Sequence, residues 1–456
     1  MIGRRSIPPA DADNRLSAVS HDAVVIGAAY VLSFLYPLVS LPLLSRAFGP
    51  ADFGRLVFAL AVLQVVTYVV DYGFNISAMR RIALTADPRN RGRIVVDTLG
   101  ARAVLVVVAG LALTLAVAVV PQLRADWELY ALGLACIGLS IASPDWLLQG
   151  LGWVRTFAVV MALSRVLALG GLVATVHDAS DLPLALVWQL LPLVIGSVLA
   201  WPLLLRAGVL APVRATVAGV RHALDDGRLL FVSNMALLGM GAANAVVLGF
   251  VSTPAQVAYL GAAERFGNAG RGVMSGVQNV MLPRLTRADE GERGARLRRL
   301  VGTGIAGLYG LGGLGLVLVS PWFIPIYLGP GFDTAVLVTQ LIGAGLCLAG
   351  GTAVFVLLAQ ARHRFAVVAR ITAGTAVVHI VLVALGGWQW GAVGAASAIL
   401  LTEALQLALF AADHRRQRRR AASAHPTDRS SSSSSDHPSE PPVAEGRSGP
   451  AEEFPA

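Results

Sequence analysis

Long apolar stretches recur from one end of the chain to the other, separated by short polar turns. Each is about 20 residues long, enough for a helix to cross a hydrocarbon core of about 30 Å. The runs are continuous rather than alternating, so they predict spanning helices and not the strands of a barrel. The pattern places spans at 22–47, 53–79, 95–121, 127–150, 155–176, 183–206, 228–252, 256–283, 299–328, 333–361, 365–386 and 391–413, twelve in all. The longest connections, 207–227 and 284–298, are too short to fold as domains. Residues 414–456 change character, from "RRQRRR" to a serine run and then Pro, Glu and Gly. Such a tail cannot bury a core, so it is expected to be disordered and dispensable for insertion.

Composition narrows the class. Of 456 residues, 55% are hydrophobic and only 14% charged, where a soluble domain has about a quarter charged. The chain reads as an all-α polytopic membrane protein. Residues 1–21 are polar and lack the apolar core of a secretory signal, so the first span is expected to insert itself. Cys136 and Cys347 lie far apart inside apolar spans and read as packing residues, with no disulfide framework. The eight His are scattered and form no H-E-x-x-H, so neither a metal nor a cofactor is expected.

The net charge of +9 then acquires a meaning. There is no Lys, and all 36 basic residues are Arg. With a cytoplasmic N-terminus, 28 of them fall on the inner side, and only Arg46, Arg55 and Arg124 on the outer. That asymmetry predicts that both termini are cytoplasmic. It puts Trp127, Trp322, Trp388 and Trp390 at the outer interface. The basic charge therefore reports topology and contact with anionic lipid headgroups, not nucleic-acid binding.

Two short matches suggest internal order. "PADFGRL" at 50–56 and "PAQVAYL" at 254–260 each open the second span of a six-span block. Blocks with an even number of spans run in the same direction, which predicts two six-helix lobes about an axis along the membrane normal. "GLGGLG" at 310–315 fits a dinucleotide fingerprint but lies mid-span, where Gly means close helix packing. Gly272 and Gly276 form G-x-x-x-G, read first as helix contact and alternatively as a bend.

The stretch "YLGAAERFGNAGRGV" at 259–273 stands out because it puts three charges inside a span. Ionisable groups there are costly and rarely face lipid. Asp71, Arg102, Asp145, Arg165, Arg370 and Glu403 are the other candidates. Arg102 and Asp145 lie near inner ends, where snorkelling is cheap. Glu264, Asn268 and Arg271 share one helix face, and Arg265 points about 100° away. Two readings follow. In one, Glu264 and Arg271 form an ion pair that fixes packing. In the other, Arg271, Arg265, Asn268 and Arg165 line a hydrated cationic cavity for an anionic substrate, since the guanidinium fork suits phosphate oxygens. Glu264 and Asp71 are the titratable candidates for coupling to an ion or for gating.

These residues also carry a resemblance. "SPDWLLQGLGWVRTFAVVMALSRVLAL" at 143–169 resembles the fourth-to-fifth span region of polysaccharide transporters, with Pro144, Trp146, Gln149, Gly150, Arg155 and Arg165 matching the pattern. "LPLLSRAFGPADFGRL" at 41–56, "DYGFNISAMRRIA" at 71–83 and the stretch from 259 to 288 resemble the family's first outer turn, span-2 exit and span 8. The family is the O-antigen flippase type of the multidrug/oligosaccharidyl-lipid/polysaccharide superfamily. The resemblance covers about 22–413; the tail after 414 is not typical of the family, and span 1 lacks charge.

The resemblance implies six-helix lobes at 22–206 and 228–413, joined by a cytoplasmic linker at 207–227, around a central cavity. It implies a bacterial plasma-membrane exporter that moves polyprenyl-diphosphate-linked oligosaccharide by alternating access, for surface polysaccharide synthesis. No bond breaks, so no catalytic residue is expected. Membrane lipids are partners, with a polysaccharide polymerase and glycosyltransferases as further ones. A multidrug or other lipid-precursor exporter of the same fold is the alternative. A membrane glycosyltransferase or ligase lacks a domain to house it, and a non-transporting scaffold of an export complex stays open.

Overall fold

The computed structural model describes residues 10–238, 243–287 and 291–423. Among them every regular element is helical: α1 (Ala10–Asp71), α2 (Phe74–Ala83), α3 (Pro88–Val119), α4 (Pro121–Arg124), α5 (Trp127–Ser140), α6 (Asp145–Gly150), α7 (Val154–Thr175), α8 (Leu182–Leu190), α9 (Pro192–Arg206), α10 (Val217–Leu238), α11 (Ala243–Val251), α12 (Pro254–Thr286), α13 (Glu292–Leu328), α14 (Asp333–Ala361) and α15 (Phe365–Ser423), with one 3-10 turn before α8. The described residues through Ala411 form one packed unit.

Seven of the described helices are long and apolar enough to cross a membrane, or eight if the bent pair 179–190 and 192–206 makes one span. The count of twelve from the apolar pattern is therefore not reproduced by length and composition. Part of the reason is that α1 and α15 each join two helices across a bend. In α1 the break is Gly49, at φ 65°, where a side chain would be strained, and Pro50 opens the next helix. In α15 it is Trp390–Gly391. The charged α12 is also too polar to be counted. The first helix begins at Ala10, ahead of the span edge at 22, and the last runs to Ser423, past the edge at 413. Residues 424–456, most of the expected tail, lie outside the described residues, as do 288–290 in the loop after span 8.

Helix ends follow local chemistry. Asp87 caps α3, accepting from the backbone N–H groups of Arg89 and Asn90, with Pro88 in the first turn. The largest apolar cluster joins Phe53, Leu56 and Leu63 of α1 to Val257 and Leu260 of α12, Val338 and Ile342 of α14, and Ala395 and Ile399 of α15. A second gathers Phe74, Ile82, Trp146, Phe157 and Leu204. A third gathers Leu285, Ile305, Tyr309 and Leu346.

Small residues set the closest approaches. A Cβ on Gly54 would lie 1.8 Å from the carbonyl oxygen of Pro254, so the two Pro-Ala turns of the short repeat abut one another. A Cβ on Gly313 would lie 2.4 Å from the carbonyl of Gly343, so the glycine-rich run at 310–315 is a contact between α13 and α14. The helix-contact reading of G-x-x-x-G fails at Gly276, whose Cβ position is open. On α12 the tight contacts come earlier, at Gly261 against Val57, Gly267 against Ile342 and Gly270 against Leu346.

Candidate functional site

Three groups of polar side chains interrupt this apolar packing. The first surrounds a cavity of about 280 Å³ whose lining includes Asn244, Glu264, Asn268, Arg271, His379, Thr402, Glu403 and Gln406. The spacing on α12 brings Glu264, Asn268 and Arg271 to this one cavity, as the shared helix face required. The expected Glu264–Arg271 ion pair is not made. Arg271 Nη2 instead donates to Glu403 Oε1 of α15 at 2.8 Å. Glu264 Oε1 accepts from Asn244 Nδ2 of α11 at 2.7 Å. The two stay within electrostatic reach of each other, but each carries a nearer partner from a different helix.

The second group lies on the other side of α12. The Arg265 guanidinium sits over the Phe53 ring, 5.4 Å from its centroid, a cation–π geometry. Its Nη1 is buried without a hydrogen-bond partner. Tyr36 and Tyr327 are both within its electrostatic reach, and Tyr36 is equally within reach of Arg165. Arg165 Nη1 donates to the carbonyl of Met161 at 3.1 Å, within its own helix. Among the described residues neither Arg165 nor Arg265 makes an ion pair. Of the residues foreseen in one cavity, Arg271 and Asn268 line it and Arg265 and Arg165 are not in its lining; both of the latter lie within electrostatic reach of Tyr36.

The third group is at Asp71. Arg102 Nη2 donates to Asp71 Oδ1 at 3.2 Å and to Asn75 Oδ1 at 3.0 Å, while its Nη1 reaches the carbonyls of Ile141 and Ser143. Arg102 is 3% exposed. It does not snorkel. It is buried against α1 and the turn before α6, where Asp71, Asn75 and two carbonyls hold its two Nη groups, while its Nε has no hydrogen-bond partner. Asp145, also taken for a snorkelling residue, lies within electrostatic reach of both Arg102 and Arg165.

Sequence reasoning noted Glu403 as a charge in a span without giving it a role, and it passed over Asn244, His379, Thr402 and Gln406. Asn244 and His379 are lone polar residues in apolar runs, and Thr402 and Gln406 neighbour Glu403. Asn244, His379 and Thr402 are 3%, 3% and 2% exposed, so their hydrogen bonds must be made internally.

An all-helical body with seven described helices long and apolar enough to cross a membrane, and with charged groups held in its interior, defines the class: a polytopic membrane protein. Its solved likenesses share that architecture. A multidrug resistance transporter of the MATE family, in an inward-facing conformation, superimposes with a TM-score of 0.66 at 14% identity, covering 88% of this chain and all of that one. The lipid II flippase MurJ, inward closed, gives 0.64 at 12%, covering 87% of this chain and 86% of that one. A candidate O-antigen transporter of Escherichia coli (strain K12) is 28% identical over 335 residues, 72% of this chain and 80% of that protein. The chain belongs to the family described as "Polysaccharide biosynthesis protein", whose model matches residues 19–289.

Proposed function

We propose that the protein is a flippase that moves a polyprenyl-diphosphate-linked oligosaccharide across a bacterial inner membrane by alternating access, and that it breaks no bond. The name of the Escherichia coli relative and the family description support a role in moving a polysaccharide precursor. The observation that carries the reading is Arg265, stacked over Phe53 with no ion pair among the described residues; Arg165, likewise without an ion pair there, supports it. A buried guanidinium whose Nη1 lacks a partner is a site waiting for an acceptor, and the planar fork suits a phosphate oxygen pair. A polar head cannot cross hydrocarbon unaided, so the transporter must offer it polar contacts in transit. Arg271, held by Glu403, and Asn268 serve the sugar from their separate cavity in this reading. The two lobes would be 22–206 and 228–413, with both termini cytoplasmic, and a polymerase would consume the flipped product.

The test is polymer export in a strain lacking the gene, read beside membrane protein level. Arg265→Ala should abolish export at normal protein level, Arg265→Lys should retain part of it, and Arg165→Ala should reduce it. Wild-type export from Arg265→Ala would remove the site assignment.

A further inference from the structure

Four side chains from α11, α12 and the two arms of α15 form one hydrogen-bonded chain. Glu264 Oε1 lies 2.7 Å from the Asn244 amide, that amide lies 2.8 Å from His379 Nε2, and His379 Nδ1 lies 3.2 Å from Thr402 Oγ1. Thr402 Oγ1 in turn lies 2.6 Å from the carbonyl of Ala398. A carbonyl only accepts, so the threonine hydroxyl donates there and must accept from Nδ1–H of His379.

Two arrangements then complete the chain. In the first, Nε2 also carries a proton, Asn244 accepts it on Oδ1 and donates Nδ2–H to an ionised Glu264. In the second, Nε2 is bare, the amide is turned to donate to it, and Asn244 Oδ1 accepts from a protonated Glu264. Both hold the same number of protons: one more than a carboxylate and a neutral imidazole. Without that proton, either two acceptors face each other or Thr402 must abandon Ala398. Asn244 and His379 are each 3% exposed, so water does not repair the loss.

The surrounding charges point the same way. Arg271 of α12 and Glu403 of α15 cancel as a 2.8 Å pair. Tyr309 of α13 is within reach of both. α14 contributes uncharged Ile342 to this cavity. With the extra proton the cavity is neutral, and without it one uncompensated negative charge sits inside a membrane protein, which is costly.

We propose that the Glu264–Asn244–His379–Thr402 chain is a proton-binding site, with one proton shared between Glu264 and His379, and that this proton is the ion coupled to transport. The coupling half rests on the flippase reading; the binding half does not. Glu264 and Arg265 are consecutive in α12, one facing the proton site and the other facing Tyr36 and Phe53. Loss of the proton breaks one link of the chain that ties Glu264 to α11 and α15, and the rearrangement acts on the next residue along α12, the arginine proposed to hold the substrate anion.

The test for binding is an infrared pH titration of purified wild-type protein, Glu264→Gln and His379→Gln, without substrate. Glu264→Gln is isosteric with the protonated acid and can still donate to Asn244, so it should fold. A carboxyl or imidazolium signal that titrates in the wild type and vanishes in both variants supports the site; an unchanged titration in both overturns it. Addition of Na⁺ that displaces the titrating proton would mark a sodium site and overturn the proton assignment. For coupling, polymer export should fall when a protonophore collapses the proton gradient and should become insensitive to external pH in Glu264→Gln. Export indifferent to the gradient would overturn the coupling while leaving the titration intact. Normal export by Arg265→Ala would instead fault the substrate reading and leave the titration untouched.

Discussion

Two arginines six residues apart on α12 meet opposite surroundings. Arg271 has a carboxylate partner at 2.8 Å, and Arg265 has an aromatic ring and an unpartnered Nη1. Alanine should therefore act differently at the two. Arg271→Ala leaves Glu403, 16% exposed, without its counter-ion. An orphaned buried acceptor of this kind costs about 1–3 kcal/mol, and the 35% exposure of Arg271 argues against a larger figure. Membrane protein level should drop and return in the double variant Arg271→Ala/Glu403→Gln, since the pair couples non-additively. The pairing first considered, Arg271 with Glu264, makes a competing forecast in which Glu264→Gln is the rescuing partner. Arg265→Ala orphans no acid. It loses a cation–π contact of about 0.5–2 kcal/mol, and its level should stay near normal. Immunoblots of membranes from the single and double variants decide between the two pairings.

At the scale of elements, the closest approach between the two ends of the repeat is Gly54 against Pro254, where no Cβ fits. Gly54→Ala should force α1 and α12 apart and lower stability by about 1–3 kcal/mol, the usual cost of overpacking, read as a drop in the thermal unfolding midpoint of purified protein. Gly276→Ala on α12, with open space around its Cβ, is the control and should leave the midpoint unchanged or raise it, because alanine favours helix. Much of this layer was legible in the sequence. Apolar runs gave the helices because a spanning segment must satisfy its backbone internally, and the Pro-Ala turns and the glycine-rich run both proved to be packing features. The partners were not legible. Arg271 and Glu403 are separated by 132 residues, and helical periodicity describes one element at a time, so it finds Glu264 and Arg271 on a shared face but not the α15 carboxylate that intervenes. Uncharged Asn244, His379 and Thr402 carried too little signal, since a single polar residue in an apolar run is also what ordinary helix contact looks like.

At the scale of the whole molecule the arginine asymmetry makes the last prediction. Orientation is set by basic residues in short loops near the span ends, because cytoplasmic loops retain Lys and Arg during insertion. Here the ratio is 28 to 3, far from balanced, and the three outer arginines are accounted for locally. Arg55 is paired with Asp52 and Asp126, Arg46 donates to the carbonyl of Ile326, and Arg124 is the last residue of the short α4, where a cation suits the helix C-terminus. In a transporter this sidedness also fixes which face meets cytoplasmic precursor first. With Cys136 and Cys347 replaced, single cysteines at Arg296, Pro330 and Trp388, all exposed, report the sides directly. A membrane-impermeant thiol reagent applied to intact cells should react at 330 and 388 and miss 296, and permeabilised cells should react at all three. Position 296 lies in the first turns of α13, within the segment carrying six arginines between 284 and 299, so external labelling there would mean that the most basic segment between two spans lies outside, and the lobes would have to be read with the opposite polarity.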